Sequence, residues 1–116
     1  MSVVNVKVNY IRPEYNNLRE WMSDPNNVYI ARRGIVFIDK VRFPLGDSPF
    51  CNPFKIGRDG TREEVLIKYR IYIINRLNSE PVLLEQFKQL KGKKLGCWCK
   101  PENCHGDILV ELLQYV

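Results

Sequence analysis

Three of the four cysteines, Cys97, Cys99 and Cys104, fall within eight positions, and the single histidine, His105, follows directly. Thiols and an imidazole this close together support three kinds of chemistry. The first is a zinc site: Cys97, Cys99, Cys104 and His105 are the ligand types that zinc takes tetrahedrally. The spacing C-x-C-x4-C-H asks the neighbours Cys104 and His105 to turn toward one ion, and Cys51 is the substitute if His105 does not. The second is a reactive site. A cysteine at a helix start lies near unsatisfied amides and the positive end of the dipole, which favours thiolate. On that reading Cys104 is the nucleophile, or Cys97 and Cys99 form a redox couple, with His105 a proton-transfer or binding group and Asp107 an orienting acid. The third is structural, with buried thiols or disulfides; four cysteines allow three pairings. The residues alone leave all three open.

A second polar set precedes this cluster. Asn52, Arg58, Asp59 and Thr61 sit in a stretch punctuated by Pro53, Gly57 and Gly60. A guanidinium such as that of Arg58 forks onto phosphate or carboxylate, and the amides of a helix opening at Thr61 share such a charge. Arg32, after a predicted strand, is a further candidate for the same substrate-binding group. The competing reading is a structural loop, with Asp59-Gly60 as a turn and Arg58 paired to a surface acid.

The elements that must position these residues read as a mixed α/β domain over residues 1–116. β-branched alternation predicts strands at Val3–Val8, Val28–Ala31 and Ile35–Ile38, the last continuing toward Val41 and Phe43, with Arg33-Gly34 as a hairpin turn. Tyr10–Asn27 reads as a loop with a turn or two of helix around Leu18–Met22, and 44–60 as irregular backbone. Thr61-Arg62-Glu63-Glu64 is a capping box, opening a helix to about Leu77 with an apolar stripe through Val65, Tyr69 and Ile73. Pro81 opens the next helix, which Gly92 ends. Lys93–Cys99 is a strand, and Cys104–Tyr115 a helix whose first turn holds Cys104 and His105. Strand alternation turns Cys97 and Cys99 to one face and Trp98 to the other. The sum is a mixed sheet of about four strands with three helices, and a C-terminal strand–turn–helix that carries the Cys/His cluster. Ligand sites of open α/β sheets lie at such strand ends.

Composition bounds the function classes. The 116 residues carry 45% hydrophobic and 27% charged side chains, which excludes wholesale disorder. Charged residues interrupt every apolar stretch before a membrane-spanning length. The start, Met-Ser-Val-Val-Asn-Val-Lys, lacks the order of a secretory signal. The expected compartment is therefore the cytoplasm, or that of an infected cell. A net charge of +5 favours an anionic small molecule or nucleic acid as partner, although no Lys/Arg tract or nucleic-acid-binding signature accompanies it.

Two segments, Cys51-Asn52-Pro53-Phe54-Lys55-Ile56-Gly57-Arg58-Asp59-Gly60-Thr61-Arg62-Glu63-Glu64-Val65 and Gly92-Lys93-Lys94-Leu95-Gly96-Cys97-Trp98-Cys99-Lys100-Pro101, lead into Cys104-His105-Gly106-Asp107. Together they resemble family 4326 of the domains of unknown function, found in bacteria, phages and other double-stranded DNA viruses. The resemblance spans nearly the whole chain and implies that the cluster matters, but supplies no reaction. It implies glycine where Cys51 stands, so Cys51 is not a family ligand. It also marks residues 10–26 and 35–48 as insertions. The reading that follows is a ligand pocket between the 52–61 loop and the Cys/His cluster. It belongs to an enzyme-like domain for a nucleotide, nucleic acid or other anion. The alternatives are a zinc-stabilised binding module and a disulfide-braced structural protein.

Overall fold

The computed structural model describes residues 2–116. The fold is α/β, and the described residues form five strands in two sheets and five helices. β1 (Ser2–Asn5) and β2 (Asn27–Tyr29) both run parallel to β5 (Lys94–Cys97), which lies between them. A strand covered on both faces in a parallel sheet is apolar throughout, and Leu95, Gly96 and Cys97 are all buried. Cys97 stands opposite Asn5, and Gly96 lies between Val4 and Tyr29.

One sheet face is covered by α3 (Arg62–Ser79), α4 (Pro81–Lys88) and α5 (His105–Leu113). Their core joins Tyr69, Ile73, Phe87, Leu95, Cys97, Cys104 and Leu109. The capping box forms as the sequence predicts: the Glu64 amide donates to Thr61 Oγ1 at 3.2 Å and the Thr61 amide to Glu64 Oε1 at 3.0 Å. The stripe Val65, Tyr69, Ile73 and Leu77 is buried, each side chain contributing about 1.5–3 kcal/mol. The other face is covered by α2 (Leu18–Ser23), with Leu18 and Trp21 packed on Val6 and Tyr29. α1 (Val8–Ile11) adds Ile11 to this side.

Two glycines set how closely these layers approach. A Cβ on Gly96 would stand 2.4 Å from Trp21 Cη2, so the indole lies directly on the central strand. A Cβ on Gly106 would stand 2.8 Å from both Ile30 Cδ1 and Val3 Cγ1. Its absence lets the start of α5 sit down on the ends of the sheet.

The structure differs from the sequence expectation at four places. Val28–Ala31 and Ile35–Ile38 form no hairpin about Arg33-Gly34; β2 joins the parallel sheet instead. β3 (Val36–Ile38) pairs with β4 (Val41–Phe43) as a separate two-stranded antiparallel sheet. The turn between them is Asp39-Lys40, with φ of 51° and 66°, the positive pair that matches the twist of a two-residue hairpin. β1 ends at Asn5, because the chain turns there into α1. β5 ends at Cys97, so Cys99 lies in the following loop. Cys104 is the N-cap of α5 rather than a member of its first turn. Among the described residues no helix is long and apolar enough to cross a membrane.

Candidate functional site

The carboxyl ends of β1, β2 and β5 meet the start of α5 and the loop that leads into α3. Asn5, buried at the end of β1, fastens this corner. Its Nδ2 donates to the Lys100 carbonyl at 2.6 Å and to that of Trp98 at 3.4 Å, and its Oδ1 accepts from the Lys7 amide at 2.9 Å. The 98–100 backbone is therefore tied to β1. Trp98 turns to the opposite side of the sheet, where its Nε1 donates to Tyr29 Oη at 2.8 Å. The alternation expected of a strand thus carries past the last sheet hydrogen bonds.

Cys97, Cys99 and Cys104 converge on the other side. The sulfurs of Cys104 and Cys97 are 2.7 Å apart, and Cys99 lines the same cavity as both and as Arg62. Cys97 and Cys104 are each 1% exposed, whereas Cys99 is half-buried. The three thiols are consequently unequal. The Cys104 and Cys97 thiols, and then Arg62, hold the Cys99 thiol well below its ordinary value. Cys104, against two neighbouring thiols and in an apolar surround, is pushed up. Of the three thiols, Cys99 is the one these contacts favour as thiolate. Arg62, the first residue of α3, also reaches across to the Asn103 carbonyl at 3.0 Å.

His105 is 7% exposed. Its Nε2 lies 2.6 Å from the Ile30 carbonyl, and a carbonyl accepts, so Nε2 carries the hydrogen and Nδ1 the lone pair. Nδ1 faces Cys104 Sγ at 3.6 Å, so these sequence neighbours do meet, because Cys104 is extended at the cap. Burial holds the imidazole pKa down and keeps the ring neutral. The Tyr69 ring stands edge-on to it at 5.1 Å, with Tyr69 Oη donating to the Phe50 carbonyl at 2.6 Å.

This corner opens into a cavity of about 480 Å³. Its walls are Cys97, Cys99, Cys104 and His105 on one side, and Arg32, Asn52, Phe54, Lys55 and Ile56 from the loop on the other, with Arg62, Asn103, Ile35 and Trp98 at its edges. Arg32 braces the loop: Nε and Nη2 donate to the Asn52 carbonyl at 3.0 and 2.7 Å, and Nη2 to that of Phe54 at 3.0 Å. Asn52 Oδ1 accepts from the Phe54 amide at 2.9 Å.

Other candidates from the sequence fall elsewhere. Arg58 pairs with Asp59 at 2.8 Å and points along the surface, Asp59 also accepts from the Lys55 amide, and Thr61 is occupied as the cap of α3. None of the three lines the cavity, because each satisfies a local turn or helix end. Asp107 accepts from the Cys104 amide at 3.1 Å and from Lys100 Nζ at 2.6 Å. It is thus a cap for α5 and has no hydrogen bond to the imidazole. Cys104, the expected thiolate, is the buried partner of Cys99. Arg62 and Asn5 are the residues the sequence reading passed over. Arg62 was hidden inside the capping box, and Asn5 inside a valine-rich strand where an asparagine is out of place.

The zinc set fares differently by type and by spacing. Three thiols and an imidazole lone pair suit the metal chemically. Two Zn–S bonds of about 2.3 Å at a tetrahedral angle hold their sulfurs about 3.7 Å apart, roughly 1 Å wider than the 2.7 Å between Cys97 and Cys104. Among the described residues no group of three His, Cys, Asp or Glu side chains is arranged to hold a metal ion. All four cysteines are free thiols.

The chain is 36% identical over 98 residues to the uncharacterised protein R718 of Acanthamoeba polyphaga mimivirus, covering 78% of this chain and 68% of the relative. It is 36% identical over 59 residues to an uncharacterised 12.4 kDa protein of the nrdA-td intergenic region of Enterobacteria phage T4, covering 50% of this chain. That match spans 55% of the phage protein's length. No solved structure matches the chain. A model of the domain of unknown function DUF4326 matches residues 14–115, from before α2 to the end of α5, leaving β1 and Asn5 outside. The loop, the thiols and His105 all lie within that span, and the chain belongs to the DUF4326 family.

Proposed function

We propose that this domain binds a small anionic ligand, a nucleotide or a compound of similar chemistry, in the cavity beside the thiols, and acts on it through Cys99. The observation that carries this reading is the position of Cys99. It is the half-buried thiol of the three, lies beside a guanidinium and borders a cavity of ligand size. Apolar walls with a few convergent polar groups characterise small-molecule sites. Phe54 and Ile56 offer a surface for a planar ring, while Lys55 and Arg62 offer charge for a phosphate or carboxylate. In this scheme Cys99 is the nucleophile and Arg62 stabilises both its thiolate and the ligand's anion. His105 stays neutral and accepts from Cys104, so positioning rather than proton transfer is its task. Arg32 and Asn52 shape the loop wall.

The test is the rate of Cys99 alkylation by iodoacetamide, mapped by peptide mass, with and without each common nucleoside monophosphate. Slowing of Cys99 modification by at least one nucleotide, with Cys51 unaffected, is the expected result. Uniform rates across the whole panel overturn the nucleotide assignment. One equivalent of zinc retained after purification without added metal, and lost on Cys99→Ser, overturns the free-thiol mechanism in favour of a zinc-stabilised module.

A further inference from the structure

The basic excess of the chain forms no tract in sequence, but folding gathers part of it on the β3–β4 hairpin. This hairpin packs Val36, Ile38 and Phe43 against the core on the α2 side and leaves its other face to solvent. We infer that the outer face is a contact for single-stranded nucleic acid, placed to lead one nucleotide of the strand into the cavity. It extends the reading of the cavity as a nucleotide site, on which that route rests, and no thiol takes part.

Three observations carry it. The face offers a ring. Phe37 is 65% exposed, although the guanidinium of Arg42, its partner across the hairpin, stands over the ring at 4.8 Å. Arg42 is held there by donating from Nη1 to the Gly34 carbonyl at 2.9 Å. A base of any identity stacks on such a platform, and a guanidinium adds to the attraction. The charge around the ring suits phosphate. Among the described residues Arg33, Lys40 and Arg42 make no ion pair. Asp39, the one acid between residues 32 and 46, is engaged by Arg19 at 3.1 Å. Asp47, at the foot of the hairpin, accepts from the Arg33 amide at 2.8 Å. An apolar patch without cations would suit a protein; unpaired cations beside an exposed ring select a polyanion with π-faces.

The face also runs into the cavity. Arg33, Ile35 and Phe37 are exposed, whereas Gly34, Val36 and Ile38 between them are half-buried. Ile35 stands at the cavity's edge. The platform and the cavity mouth are thus two residues apart, roughly 7 Å along an extended chain. The sugar–phosphate backbone of a strand bridges such a step, and Lys55 and Arg62 continue the line of positive charge along the cavity wall.

The experiment is fluorescence anisotropy of labelled strands of about 12 nucleotides in mixed sequence, one DNA and one RNA. They are titrated with the reduced full-length chain over a range of salt. Wild type is expected to bind at least one of them, more weakly as salt rises, and to prefer it to the duplex of the same sequence. Phe37→Ala and Phe37→Leu are expected to weaken binding about fivefold or more, and Phe37→Trp to retain it. Leucine keeps apolar area without a ring, and circular dichroism checks that these exposed replacements leave the fold intact. Arg33→Gln with Lys40→Gln is expected to lower the slope of log affinity against log salt by about 1.4. Lys88→Gln with Lys91→Gln, around the end of α4 on the opposite face of the main sheet, is expected to leave it unchanged. The inference is overturned if neither strand binds, if the duplex binds as tightly, if Phe37→Leu binds like wild type, or if both double variants weaken binding equally. Nucleotide protection of Cys99 separates this failure from failure of the function proposed above. Protection without strand binding sinks the hairpin inference alone. Strand binding that depends on Phe37, without protection by any nucleotide, sinks the cavity reading and upholds the hairpin contact.

Discussion

Replacing Gly106 by alanine tests whether the site depends on how closely α5 approaches the sheet. The added methyl would lie 2.8 Å from Ile30 Cδ1 and Val3 Cγ1, and 3.0 Å from Val3 Cγ2. Carbon atoms in good contact are about 3.5–4.0 Å apart, so the layers must separate by roughly 0.7 Å or the neighbours must leave their rotamers. Ile30 is fully buried and Val3 packs against the same cluster, which leaves neither much room. Overpacking of this kind costs about 1–3 kcal/mol. Alanine returns up to about 1 kcal/mol through its better helix propensity, so from an overpacking cost in the middle of that range, about 2 kcal/mol, the net loss is about 1–2 kcal/mol. For a chain of this size that lowers Tm by roughly 4–8 °C. Circular dichroism melts of wild type, Gly106→Ala and Gly46→Ala make the comparison, because a Cβ on Gly46 meets nothing within 4 Å. Gly46→Ala is expected to melt with the wild type. Because α5 carries Cys104 at its start, Gly106→Ala is also expected to expose the cluster and raise the alkylation rate of Cys97 and Cys104. A Gly106→Ala protein that melts at or above the wild-type temperature would refute the close-approach argument.

Further outcomes follow from the same corner. Alkylation of Cys99 should persist well below neutral pH, while Cys51, whose thiol burial pushes up, should react only in alkaline solution; a shared pH profile contradicts the inequality of the thiols. Arg62→Gln should raise the pH midpoint of Cys99 alkylation, and an unmoved midpoint means that the guanidinium does not stabilise the thiolate. His105 has a lowered pKa in the fold, chiefly through burial, so the unfolded chain binds its proton first as pH falls. Its stability contribution is present above about 6.5 and is lost below it, by up to about 1.4 kcal/mol per pH unit until the folded value is reached. Urea titrations from pH 7 to 5 should show this slope in the wild type, and a flat line in His105→Gln. Asn5→Ala strips two loop carbonyls of their donor and should cost about 1–3 kcal/mol, read as a lower urea midpoint together with faster Cys99 alkylation.

Local signals in the sequence predicted the helices on the C-terminal side of the sheet. Thr61, Glu64 and Pro81 announce helix starts by backbone chemistry that needs no tertiary context, and α3 and α4 begin where they say. The strands were harder. Val28–Tyr29 and Val36–Ile38 have the same β-branched character, and nothing local says that one joins β5 from the far end of the chain while the other folds back at Asp39-Lys40. The site shows the same division. Clustering in sequence brought Cys97, Cys99, Cys104 and His105 to attention, and the cavity gathers all four. Which thiol is favoured as thiolate depends on the contacts among the three thiols, on Arg62 and on the depth of burial, none of which spacing encodes. Arg58 and Asp59 stand outside the cavity, and a loop rich in glycine and charge looks the same in sequence whether it cradles a ligand or closes its own turn.

The middle strand of the main sheet is the last to be synthesised. Among the described residues β1 and β2 have no strand neighbour but β5, so in a growing chain both stay unpaired until β5 is made. Only when residues 94–97 emerge can either find its partner. The same few residues bring in the first thiol of the cluster, and the helix that completes the cluster follows at once. The sheet can pair once Cys97 is in place, and Cys99, Cys104 and α5 then close onto a sheet already formed. Synthesis order thus sets the scaffold ahead of the cluster: the strands can pair before its second and third thiols exist.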